Sequence, residues 1–130
     1  MNVDDPLVWA QYAEEDYRLA VSLLRRKRKP LRAICFHTQQ SAEKYLKALL
    51  LSKNLAFPKT HDLPTLNSLC EQAGILTGFS PELLTLLSEY AVRTRYPGEE
   101  PSLEEAREAL EIAKAVRAFA RRWLQFSYMS

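Results

Sequence analysis

The chain has 130 residues, a length that suits a single domain built on one core. Hydrophobic residues make up 47% and charged residues 26%, which excludes a disordered chain, and only 3 glycines with no period-two run of β-branched residues disfavour a sheet. A net charge of +2 is too small to coat nucleic acid wholesale, so electrostatic attraction to a polyanion must come from a local patch.

The opening MNVDDPLVW is acidic and lacks the positive-then-apolar layout of a signal peptide. A first helix is expected from about Asp5, with Asp4 or Asp5 as cap and Pro6 in the first turn. Trp9, Ala13, Ala20 and Leu24 form its apolar stripe, widened by Tyr12, Tyr17 and Leu23. Asp16 falls inside that stripe. A carboxylate is costly to bury unpaired, so either Lys44 or Gln40 of the next helix partners it, or it lies solvated at the stripe's edge. Arg25-Arg26-Lys27-Arg28-Lys29 ends the helix before Pro30. Cations there complement the helix dipole, but five in a row exceed that need and leave a phosphate-binding role open.

The second helix is expected over Leu31 to Lys53 and contains the most informative stretch, CFHTQQSAEKYLKALL. Cys35, Ala42, Tyr45, Leu46 and Leu49 recur at helical spacing and read as its buried side. His37, Gln40, Glu43, Lys44 and Lys47 read as its polar side, where the imidazole and the Gln39-Gln40 amides are suited to hydrogen bonding. Lys44 and Lys47 fit equally a solvated face with weak ion pairs.

Residues 54–61 form a loop broken by Pro58. Asp62 caps a third, short helix to about Ala73, closed by Gly74. His61 is expected to close the turn onto backbone or onto Asp62. A fourth helix covers Pro81 to about Val92, followed by a loop over 93–101. There Tyr90, Arg93, Arg95 and Tyr96 offer guanidinium forks and aromatic faces suited to phosphate and a stacked base, or else cations and a packing tyrosine at a helix end. Ser102-Leu103-Glu104-Glu105 is a capping box opening a last helix to about Phe126, with Ala106, Leu110, Ala113, Val116, Ala120 and Trp123 as its stripe. The expected fold is an all-α, up-and-down bundle of three long and two short helices in one domain over residues 1–130. So many amphipathic helices in a short chain point to burial of the excess by a two-fold homodimer.

No apolar run reaches the roughly 18–20 residues that span a bilayer. Cys35 and Cys70 have no CxxC neighbour, and with two histidines they make a poor zinc site. The expectation is a cytoplasmic protein without cofactor or metal.

CFHTQQSAEKYLKALL, followed by KTHDL and YAVRTRYPG, closely resembles the HEPN domain (higher eukaryotes and prokaryotes nucleotide-binding), in its stand-alone prokaryotic form. The resemblance implies a compact helical dimer paired with a minimal nucleotidyltransferase in a toxin–antitoxin module. Many members are metal-independent ribonucleases whose motif is Arg, four to six residues, then His. Others hold nucleotides or RNA without cutting. Arg32 and His37 meet the spacing formally, with His37 as acid–base residue and Arg32, Arg93 or Arg95 as electrostatic element. Five positions on a helix turn through about 500°, however, so those two side chains diverge by about 140° unless the first turn frays or two subunits face each other. Active members carry the motif near the late helix, where this chain has arginines and no histidine. Two functions therefore stand side by side: the nuclease-like half of a module acting on RNA, and a non-catalytic nucleotide-binding or partner-binding dimer.

Overall fold

The structure is a computed structural model and describes residues 4–93 and 97–129, without the side chains of residues 93 and 126–129. Five helices follow one another: α1 (Pro6–Leu24), α2 (Leu31–Ser52), α3 (Leu63–Gln72), α4 (Pro81–Arg93) and α5 (Leu103–Met129). There is no strand among the described residues. This is the expected bundle of three long and two short helices, with α5 running three residues beyond its expected end.

Local chemistry sets the helix boundaries. Asp5 caps α1 by accepting from Leu7 N–H at 2.9 Å, and Pro6 occupies the first turn. At the far end Lys29 Nζ donates to the Arg26 carbonyl at 2.7 Å. α2 ends on Asn54 at φ 58°, where the Asn54 and Leu55 amides donate back to Leu51 and Leu50. α3 ends the same way, with Gly74 at φ 86° and the Gly74 and Ile75 amides donating to Glu71 and Cys70. The capping box of α5 is reciprocal: Ser102 N–H donates to Glu105 Oε1 at 2.9 Å, and Glu105 N–H to Ser102 Oγ at 3.1 Å.

α2 is the central helix and packs on all four others. Ala13 and Ala20 of α1, Ala42 and Ala48 of α2, and Ala106, Ala109, Ala113 and Ala120 of α5 are fully buried. Small side chains at these positions let the three long helices approach closely, while Tyr45, Leu46, Leu49, Leu84, Leu87 and Val116 fill the core between them. The expected stripes are buried, except that Trp9, Tyr12, Tyr17, Leu24, Leu110 and Trp123 are only half-covered. Cys35 and Cys70 are buried thiols, and burial pushes the Cys70 thiol up to about 12, so it packs and does not react.

Encirclement by four helices narrows the polar side of α2 below what its sequence suggests. Gln39, Glu43 and Lys47 all lie inside. What reaches solvent is a strip of Arg32, Phe36, His37, Gln40 and Lys44.

Candidate functional site

The solvent strip of α2 contains a three-residue ionic cluster with α1. Asp16 Oδ1 lies 2.8 Å from His37 Nδ1, and Asp16 Oδ2 accepts from Lys44 Nζ at 2.6 Å. Asp16 is thus paired, not solvated. Lys44 is the partner foreseen, Gln40 is not, and His37 is a second partner that helical spacing did not suggest. An ionised carboxylate only accepts, so Nδ1 carries the proton. In the neutral ring Nε2 then keeps its lone pair, and it has no partner among the described residues. The His37 side chain is 24% exposed, held at one nitrogen and open at the other. The Phe36 ring stands edge-on to it at 5.1 Å.

Beside this cluster a crevice of about 300 Å³ opens between α2, the loop before α3, and α4. Phe36, Gln39, Gln40, His61, Ser88, Ala91 and Val92 line it. Gln39 is committed to holding its walls together: its Nε2 donates to the His61 carbonyl at 3.1 Å, and its Oε1 accepts from Ser88 Oγ at 3.3 Å. Gln40 is half-exposed on the ridge between crevice and ionic cluster. Phe36 and Val92 are exposed apolar side chains at the rim.

Several expected site residues go elsewhere. Lys47, expected on an RNA-facing or solvated face, is enclosed with its side chain 8% exposed. Its Nζ donates to the buried Glu43 at 3.0 Å and sits 5.7 Å and 5.0 Å from the Trp9 and Phe57 ring centres. The carboxylate and two aromatic faces replace the water it gives up. His61 stays in a structural role with a different partner: its Nδ1 lies 2.9 Å from Glu43 Oε1, not on Asp62, although its ring is 77% exposed. Asp62 caps α3, accepting from Thr65 N–H at 3.1 Å and from the Thr65 hydroxyl. Tyr90 is buried and donates to Glu108 Oε2 at 3.0 Å, so it packs between α4 and α5 and offers no face to a base. The side chain of Arg93, with Arg95 and Tyr96, lies outside the described residues. Arg32 sits on the first turn of α2, which is closed by Ile34 N–H donating to the Pro30 carbonyl at 3.0 Å. The fraying that would swing it toward His37 is absent, and the divergence of about 140° stands.

One cluster was not foreseen. Glu14 of α1 accepts from Arg117 Nε and Nη2 of α5 at 2.6 and 2.8 Å, from Tyr45 Oη of α2 at 2.6 Å and from Arg18 Nε at 3.0 Å. The Arg117 guanidinium also lies 4.6 Å from the Tyr17 ring centre. In the sequence Glu14 is one acid of the run Glu14-Glu15-Asp16, and nothing local marks it as the junction of three helices.

Among the described residues no group of three His, Cys, Asp or Glu side chains is disposed to hold a metal ion, and no helix is long and apolar enough to cross a membrane. The arrangement therefore offers a carboxylate-oriented imidazole, an amide-lined crevice and nearby cationic side chains.

A family model described as the HEPN domain matches residues 7–123. Among solved structures, the crystal structure of TT1696 from Thermus thermophilus superposes with a TM-score of 0.67 at 26% sequence identity, covering 90% of this chain and 96% of that one. No curated protein matches.

Proposed function

Because the chain belongs to the HEPN domain family, we propose that it acts on RNA as the nuclease-like half of a two-protein module with a minimal nucleotidyltransferase, in the cytoplasm. The observation that carries this reading is the Asp16–His37 hydrogen bond of 2.8 Å with Nε2 left open toward solvent. A carboxylate on one imidazole nitrogen fixes ring orientation and tautomer, and the other nitrogen is then poised for proton transfer. His37 Nε2 takes the proton of a ribose 2′-hydroxyl, whose oxygen attacks the adjacent phosphorus. The P–O5′ bond breaks, leaving a 2′,3′-cyclic phosphate; the departing O5′ takes a proton from solvent water, and the His37 imidazolium returns its proton to the hydroxide so formed. A guanidinium steadies the phosphorane. Arg32 of the same chain points away from His37, so that cation comes from a second copy packed over the α2 strip, or from Arg93 or Arg95.

A second reading, a non-catalytic nucleotide-binding dimer, is favoured by the crevice itself. The Gln40 amide and the Phe36 ring at its wall suit base-edge hydrogen bonding and stacking.

The test is incubation of purified protein with total RNA. Cleavage is expected to fall at least about a hundredfold in His37→Ala, the usual contribution of a general acid–base group. Undiminished cutting by that variant removes His37 from the reaction. If the wild type leaves RNA intact but binds ATP saturably, and Gln40→Ala abolishes that binding, the second reading replaces the first.

A further inference from the structure

We infer that the C-terminal end of α1 and the groove between α1 and α5 form a separate docking track for the phosphate backbone of RNA, away from the α2 strip. It takes from the proposed function only that RNA is the partner. The first observation is a charge imbalance. Arg25, Arg26, Lys27 and Arg28 are exposed and have no carboxylate partner among the described residues. The C-terminal dipole of a helix amounts to about half a negative elementary charge, and Lys29 already serves the helix end through the Arg26 carbonyl. Four further cations exceed that need several-fold. With 18 basic and 16 acidic residues in all, the chain outside this run of five is net acidic, so the run is a positive pole on an otherwise acidic molecule.

The second observation is the groove that leads into it. A crevice of about 310 Å³ runs from Arg25 along α1 to Arg18 and across to Arg117 of α5, with Tyr17 and Ser22 in its wall. It holds one carboxylate, Glu14, which Arg117 and Arg18 already neutralise. Three guanidiniums against one acid leave a surplus of positive charge inside the groove as well as at its mouth. Arginine predominates in both parts, and its fork pairs with phosphate oxygens; the cations continue from the groove into the consecutive run Arg25–Lys29, a row that suits the regularly spaced charges of a phosphodiester backbone.

The experiment is fluorescence anisotropy with a labelled RNA of about 20 nucleotides over a range of salt concentrations. It compares the full chain with Arg25→Gln/Arg28→Gln and with Arg25→Lys/Arg28→Lys. These positions lie beyond the last residue of α1 and their side chains hold no partner among the described residues, and Arg26→Gln/Arg28→Gln serves as a second neutral variant. The glutamine variants are expected to bind at least about tenfold more weakly at low salt, and their plot of log affinity against log salt should be shallower by about 1.5, the loss of two phosphate contacts. The lysine variant should keep the slope. Affinity within about twofold of wild type and an unchanged slope in both glutamine variants overturns the inference, as does polyglutamate competing as well as RNA of equal charge. A wild type that binds RNA without cutting it ends the nuclease reading alone. A glutamine variant that binds and cuts like wild type ends the docking track alone.

Discussion

Glu14 gathers donors from α1, α2 and α5 onto one carboxylate that is 12% exposed. Burial by itself raises its pKa. The hydrogen bonds from Arg117, Tyr45 and Arg18 outweigh that, and hold it at about 2 against an ordinary 4.5. The same contact, with burial as the larger cause, pushes the Tyr45 phenol up to about 12, so it remains a donor. A carboxyl whose pKa is lower in the folded state than in the unfolded one stabilises the fold above the unfolded value and stops doing so as pH falls through the folded one. Stability is therefore expected to drop by about 2–3 kcal/mol between pH 4.5 and 2, read from urea denaturation at a series of pH values. Glu14→Gln should lose about 3 kcal/mol at pH 7, because Arg117 is left half-buried without its anion, and should flatten that acid limb. An acid limb that survives in Glu14→Gln would assign it to other carboxylates. None of this is legible at residue 14 itself, since its main partner lies 103 positions away.

At the scale of an element, the helices carry their own start and stop signals. Asp5-Pro6, Asp62, Ser80-Pro81 and the Ser102–Glu105 box each sit where the helix begins, and Gly74 where α3 ends. These are side-chain hydrogen bonds over two or three residues, so the sequence displays them directly. Ser102→Ala removes the acceptor for Glu105 N–H and should lower stability by about 1 kcal/mol, visible as a fall of several degrees in Tm by circular dichroism. An unchanged Tm would mean that the box is redundant with the packing of Ala106 and Ala109. Periodicity identified the deep side of α2 but overstated its polar side. Glu43 and Lys47 look like surface residues by type, yet they are covered because α2 is flanked by four helices. A charge can be buried when its partner is buried beside it, and that pairing depends on the neighbouring aromatic rings of α1 and the 54–62 loop.

For the molecule as a whole, the open side of α2 is where apolar and ionic features coincide. Phe36 and Val92 are exposed at the crevice rim beside the Asp16–His37–Lys44 cluster. Two copies related by a two-fold axis through this face would cover both side chains and bring the Arg32 of one copy toward the His37 of the other. Wild-type protein is accordingly expected to sediment as a dimer at micromolar concentration. Phe36→Glu/Val92→Glu should sediment as a monomer with unchanged helical content, because neither side chain belongs to the core. A wild type that is monomeric throughout that range sinks the dimer and with it the shared arrangement of Arg32 and His37.

The five-helix order, most helix boundaries to within a residue or two, the buried stripes and the family pattern follow from the sequence alone, because each rests on spacing along one helix or on a cap a few residues long. Only the tertiary structure decided which polar residues face water. It selected Lys44 over Gln40 as the partner of Asp16 and added His37, enclosed Lys47 and Tyr90, and tied Glu14 to Arg117. The reason is physical: the cost of burying a charge depends on what another helix brings within about 3 Å of it, and that distance is set by packing between segments far apart in the chain.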